Sequence, residues 1–218
     1  MTDQSPVLYT IGHSNQSLDE FIGLLRKHDV EVLVDVRSAP YSRWTPHFGK
    51  ESLEHALKLD GLKYLYLGRQ LGGRPDPDQR PDFYDEGGHA LYYKMADDTD
   101  FNDALQRLRE GVARYRVAVM CSEEDPTDCH RRLLVGKVMA DRWRVVLRHI
   151  RRDGRIEEEE RVDLRHELQP VQQSLLPDPA GNATGGHACE AWKSTQSVLP
   201  RRARNNSSTS SETPASDG

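Results

Sequence analysis

The chain is 218 residues long, 36% hydrophobic, 7% aromatic and 30% charged, with 30 Lys and Arg against 35 Asp and Glu and a formal net charge of -5. That length suits one domain with a sizeable core and is short for two. A balance this close to neutral excludes nucleic-acid binding by bulk charge but leaves room for a local basic pocket. No apolar run approaches the roughly 20 residues of a membrane span.

The N-terminus, MTDQSPVLYTIGHS, has neither the basic n-region nor the apolar h-region of a signal peptide. Three cysteines, an odd number, argue against a disulfide scaffold. The expectation is a cytoplasmic protein.

In chain order, Val7–Ile11 reads as a first strand. Leu18, Phe21, Ile22 and Leu25 then repeat at helical spacing behind Ser17, with Glu20 completing an S-x-x-E capping box. Val32–Val36 is a second strand. A short stripe of Leu53, Ala56 and Leu57 ends at Asp60-Gly61, and Leu62–Tyr66 is a third strand. Gly72 to Lys94, with three Pro and four Gly, reads as a long loop or lid, and loops of that length are uncommon unless functional. Phe101, Leu105, Leu108 and Val112 follow Asp100 as a cap. Val117–Met120 is a fourth strand, and Leu134, Val135, Val138 and Met139 mark a helix starting near Thr127-Asp128 after Pro126. Val145–Leu147 is the last of the main strands.

This alternation predicts an α/β fold, a single domain over residues 1–168 whose mostly parallel sheet is flanked by helices. Its final stretch, 151–168, is dominated by charge, and Asp153-Gly154 is placed to turn a short edge hairpin carrying Ile156 and Val162. From Gln169 the composition changes class. Half of the last fourteen residues are Ser or Thr, so residues 169–218 cannot bury enough apolar surface to offset ordering and read as a disordered polar tail.

Ligands of open α/β sheets sit beyond the carboxyl ends of the strands. Here those ends are Gly12-His13-Ser14, Arg37 to Arg43, Leu67-Gly68-Arg69 and Cys121-Ser122-Glu123, and Cys129-His130 open the next helix. A thiol at a helix N-terminus meets unpaired N–H groups and the positive end of the dipole, and His130 and Arg131 push further toward thiolate. One reading is a nucleophilic or redox thiol, Cys121 or Cys129, with His130 accepting its proton. The C-x7-C spacing is neither C-x-x-C nor the C-x5-R loop of phosphatases, because position 127 is Thr. A second is a metal site of Cys121, Cys129, His130 and His13, although zinc ligands are usually closer in sequence. The third is two buried cysteines that act as small hydrophobes.

Asp35 and Arg37 point to the same side of the second strand. Arg37, Ser42, Arg43 and Arg131 suggest an anion-recognising mouth, since guanidinium matches phosphate or carboxylate bidentately. The Asp35–Arg37 pair serves equally as a structural ion pair. Leu71-Gly72-Gly73-Arg74 is a turn that lets backbone N–H groups approach an anion. Tyr41, Trp44, Tyr64, Tyr66, Phe83, Tyr84, Tyr92 and Tyr93 offer stacking surfaces that suit a nucleotide as well as ordinary packing.

Five pieces in order carry a resemblance: Thr10-Ile-Gly-His-Ser14, Leu33-Val-Asp-Val-Arg37, Pro40 with Ser42-Arg43, Leu67-Gly68 with Leu71-Gly72-Gly73, and Met120-Cys-Ser-Glu123 with Cys129-His-Arg131. Together they resemble the family called domain of unknown function 488. The resemblance implies a cytoplasmic α/β domain in which these pieces form one site, and it carries over no activity.

The leading expectation is an enzyme acting on an anionic nucleotide or nucleic-acid substrate. Arg37, Arg43 and Arg131 would hold phosphate, with Ser14, Asp35 and Ser42 beside them. Cys121 or Cys129 with His130 would do the chemistry, His13 would be a second acid/base, and Glu123 would orient His130 or a water. No resident metal or cofactor is assigned. The alternatives are a non-catalytic module that binds nucleic acid or a phosphorylated ligand, and a redox sensor that bridges Cys121 and Cys129.

Overall fold

The computed structural model describes residues 5–168 and 192–198. Six strands form one sheet in the order β3-β2-β4-β1-β5-β6. They are β1 (Val7–Gly12), β2 (Val32–Asp35), β3 (Lys63–Tyr66), β4 (Val117–Cys121), β5 (Val146–Ile150) and β6 (Ile156–Glu158). The first five run parallel, and β6 returns antiparallel on β5. The α/β expectation is therefore met.

Helix α1 (Leu18–Lys27) starts at the expected capping box: Ser17 Oγ accepts from the Glu20 amide at 3.2 Å, and the Ser17 amide donates to Glu20 Oε2 at 2.8 Å. With α2 (Lys50–Leu59) it covers one face of the sheet. There Phe21, Ile22, Leu25, Leu53 and Leu57 bury against Tyr9, Ile11, Leu33, Ala118 and Met120. The opposite face takes α5 (Thr99–Val112) and α6 (Lys137–Trp143), whose Leu105, Leu108, Val138 and Met139 pack on Leu8, Val34, Val117 and Val119. Each central strand alternates between the two cores because its successive side chains point to opposite faces.

The connections decide where a ligand fits. The chain leaves β1 toward β2 along one face and leaves β4 toward β5 along the other, yet β1 and β4 are hydrogen-bonded neighbours. Their carboxyl ends therefore flank the topological switch point, where such sheets open a crevice.

Several local readings change. Helix α5 is capped by Asp98, whose carboxylate accepts from the Phe101 amide at 3.1 Å, and not by Asp100, which lies within its first turn. The long loop follows directly on α3 (Gly68–Leu71), holds a 3-10 turn at Pro81–Phe83 and runs into α4 (Tyr92–Asp97). The helix after β4 begins as a π-helical turn, Arg131–Gly136, before continuing as α6. The Asp153-Gly154 hairpin forms, with Gly154 at φ 76°, but Val162 lies on α7 (Glu159–Leu168), not on the returning strand.

Within the stretch assigned to the tail, residues 192–198 are described and dock on the domain. The Trp192 indole donates to the Leu133 carbonyl at 2.9 Å, and the Ser194 amide donates to the Ala90 carbonyl at 2.8 Å. Composition hides them because Trp192 and Val198 are isolated apolar anchors in a polar run. The rest of that stretch lies outside the described residues. No helix among the described residues is long and apolar enough to cross a membrane.

Candidate functional site

The carboxyl ends of β1 and β4 run on together past the sheet. The His13 amide donates to the Cys121 carbonyl at 3.1 Å and the Ser14 amide to the Ser122 carbonyl at 2.9 Å. Gly12 makes this approach possible, since a Cβ there would stand 1.7 Å from the Glu123 carbonyl oxygen. Arg131, buried in the π-helical turn, donates to the carbonyls of Glu123 and Glu124 and to Thr10 Oγ1 at 3.3 Å. It clamps the loop that carries Glu123 to the ends of the strands.

At this point Cys121, Glu123, Cys129 and His130 converge. One ligand-capable atom from each lies within 4.8 Å of all the others. Glu123 Oε2 accepts from Cys121 Sγ at 2.7 Å and from Cys129 Sγ at 3.3 Å, and His130 Nδ1 is 3.6 Å from Cys121 Sγ. The other ring nitrogen, His130 Nε2, is 2.9 Å from the Val36 carbonyl. A carbonyl only accepts, so Nε2 carries the hydrogen and Nδ1 is the atom that turns a lone pair or a proton toward the thiols. Gly73 holds the ring in place from outside, because a Cβ on it would meet His130 Cγ at 2.5 Å.

The two thiols share one ionisation. Burial, with Cys129 and Glu123 alongside, pushes Cys121 well up. Burial also opposes ionisation of Cys129, but the hydrogen bond from Cys121 and the positive Arg131 and His130 outweigh it and hold its thiol well below the usual range. Burial tends to lower His130, and its hydrogen bond and charge pairing with Cys129 reverse that and raise it. Both shifts run the same way, favouring negative charge on Cys129 and positive charge on His130.

The arginines stand differently from the anion mouth read in the sequence. Arg37 is buried, with Nε and Nη2 on the Asp35 carboxylate at 3.0 and 2.7 Å, Nη2 also on the Phe48 carbonyl at 2.8 Å, and Nη1 3.2 Å from His13 Nε2. Asp35 further accepts from the Tyr64 hydroxyl at 2.8 Å. Arg37 and Arg131 thus spend donors inside the protein, the first in the ion pair that was the alternative reading, and Arg37 also lines the cleft on the Cys121 side.

His13 stacks on Phe48 at 4.3 Å, and its Nδ1 lies 2.8 Å from the Ser14 carbonyl. Burial, then the Arg37 charge, push its pKa down to about 4. It accepts from Arg37 and stands outside the thiol cluster. Ser42 Oγ caps the amides of Trp44 and Thr45, and exposed Arg43 lies over the Trp44 ring at 5.1 Å. Neither lines the clefts at the cluster. Ser14 faces a separate groove of about 860 Å³ with Arg151, Arg152, Arg155 and Arg161.

Two clefts reach the cluster from opposite thiols. One of about 190 Å³ reaches Cys121 between Arg37, Ser38, Ala39 and Ser122; one of about 130 Å³ reaches Cys129 between Tyr92 and residues Ser194–Gln196. Gly73, Arg74, Glu123 and His130 line both. The Arg74 side chain is exposed and has no hydrogen bond or ion pair among the described residues, whereas its amide donates to Ser38 Oγ at 2.9 Å. The sequence reading passed over Ser38 and residues 192–198, and it took Gly72-Gly73 for an anion turn. The Leu71-Gly-Gly-Arg74 motif was the available signal, but its glycines serve close packing on Ser38 and His130.

A family model described as "Domain of unknown function DUF488" matches residues 17–138. It covers α1 through the π-helical turn, including all four cluster residues, and starts after His13 and Ser14. No curated protein and no solved structure matches the chain.

Proposed function

We propose that this chain, which belongs to the DUF488 family, is a metal-dependent enzyme in which Cys121, Cys129, His130 and Glu123 hold a zinc-class divalent ion and present it to a small anionic substrate. The carrying observation is the convergence of two sulfurs, one carboxylate oxygen and one imidazole nitrogen on a single point. A tetrahedron with Zn–S bonds of about 2.3 Å and Zn–N or Zn–O bonds of about 2.0 Å has edges of roughly 3.3–3.8 Å. The cluster distances of 3.3 and 3.6 Å fall in that range, while the 2.7 Å contact must open and the wider separations, up to 4.8 Å, must close when an ion is bound.

The Val36 carbonyl on His130 Nε2 is the outer partner that orients a metal-bound imidazole. Cys121 and Cys129 are buried, whereas Glu123 is exposed. Three ligands are therefore fixed, and the fourth exchanges, which leaves a place where a substrate oxygen meets the ion as Lewis acid. Arg74, lining both clefts, supplies the charge for an anionic group on that substrate. A phosphorylated small molecule or a nucleotide meets that description. A reducing cytoplasm keeps both thiols available as ligands.

Cobalt(II) titration of chelator-stripped protein tests the assignment. We expect one equivalent to bind and produce thiolate-to-metal charge-transfer absorption, and Cys121→Ser or Cys129→Ser to abolish stoichiometric binding. Absorption with no thiolate contribution, or no binding at all, refutes the metal reading.

A further inference from the structure

Resting on that reading of the site, we infer that residues 192–198 are a detachable wall of the catalytic cleft, a strap that covers the Cys129 side and leaves the Cys121 side open. The strap is fastened at several points. The Trp192 indole donates to the Leu133 carbonyl at 2.9 Å, inside the π-helical turn that directly follows His130, and its ring meets Tyr92 edge-on at 6.1 Å. Ser194 pairs with Ala90 in both directions, its amide donating at 2.8 Å and its hydroxyl accepting at 2.9 Å. Lys193 reaches Asp85 at 2.8 Å, and the Val198 amide donates to the Gly88 carbonyl at 2.8 Å.

Between these fastenings the strap meets the site. Ser194, Thr195, Gln196 and Val198 line the cleft of about 130 Å³ that reaches buried Cys129, and none of them lines the cleft of about 190 Å³ that reaches buried Cys121. The strap thus gives the first cleft neutral hydrogen-bonding groups beside the Arg74 guanidinium, a wall suited to the uncharged part of a ligand whose anionic group Arg74 holds. Its attachment to α4 and to the segment before it consists of a few hydrogen bonds, the Lys193–Asp85 ion pair and one ring contact. Such a segment opens locally at small cost while the sheet stays folded.

The asymmetry of the two clefts supplies the test. Chelator-stripped wild type, Trp192→Ala and a chain ending at residue 190 are alkylated with iodoacetamide, and the rate at each cysteine is read by mass spectrometry. Detaching the strap is expected to raise the Cys129 rate about tenfold or more, the scale set by losing a few such bonds, and to leave Cys121 within about twofold. A rise in the shortened chain alone supports the wall and shows that Ser194 and Val198 hold it without Trp192. Unchanged Cys129 in both variants overturns the proposal. So does an equal rise at both cysteines, which signals general loosening. The assay contains no metal, so its outcome is independent of the cobalt titration that decides the metal reading.

Discussion

Glu123 is bonded to both thiols through a single oxygen, and its side chain is the exposed member of a cluster whose sulfurs are buried. A neutral amide retains an oxygen at that place but loses the charge. Glu123→Gln is therefore expected to keep one metal equivalent and to lower its affinity about 10–100-fold, read by competition with a chromophoric chelator. A ligand essential for stoichiometry would behave like the cysteines instead. Arg37 makes the opposite case. Its spacing from Asp35 correctly places both side chains on one side of β2, but spacing carries no information about burial, and the guanidinium is closed in by Asp35, Phe48 and His13. Arg37→Ala leaves Asp35 buried without its counter-charge, so it is expected to cost about 3–5 kcal/mol in urea unfolding. A loss of ligand affinity with stability intact would restore the anion mouth. The thiols and His130 were legible because a strand end and a helix start face one crevice in any parallel α/β sheet.

At the scale of elements, the glycine that ends β1 and the one just past the cap of α3 govern the site more than any propensity does. A Cβ on Gly12 would stand 1.7 Å from the Glu123 carbonyl oxygen and 2.7 Å from Glu124 Cα, both of them backbone atoms. Gly12→Ala must push the β4 loop away from β1, with an expected cost of about 3 kcal/mol and loss of metal binding together. Gly73→Ala meets a side chain instead, the His130 ring at 2.5 Å. Its expected signature is weakened cobalt binding with the unfolding midpoint nearly unchanged, and equal losses in both measurements would contradict it. The capping box of α1 and the Asp153-Gly154 hairpin were legible because both are local, each decided within a few residues. The π-helical turn at Arg131–Gly136 was not legible: an apolar stripe of Leu134, Val135, Val138 and Met139 fits α and π windings alike. The strap escaped notice for a different reason. Its partners at Ala90, Gly88 and Leu133 lie roughly a hundred or sixty residues away, and composition reports nothing of such contacts.

For the whole molecule, strand order joins the site to stability. Placing β4 between β2 and β1 brings the Asp35–Arg37 pair, from one strand, beside His13, from another, and both close the crevice from the side of Phe48. His13 faces Arg37 directly, with Asp35 and Glu123 also within electrostatic reach, and burial and the Arg37 charge lower its pKa from 6.5 to about 4. In the unfolded chain the ring returns to about 6.5. Between those values the unfolded state binds more protons than the native one, so stability rises with pH across the window and falls as the solution is acidified from about 6.5 toward 4. The full difference corresponds to about 3 kcal/mol by pH 4. Carboxylates also titrate toward pH 4, so the contribution is isolated by comparing urea midpoints of wild type and His13→Gln at pH 7 and at pH 4. Glutamine still accepts from Arg37 and carries no titrating proton. The stability gap between the two proteins is expected to shift by about 3 kcal/mol in favour of the variant as pH falls. A gap constant with pH would mean that His13 is solvated in the native state, and that the crevice between β1 and β4 is more open on the Phe48 side than its packing indicates.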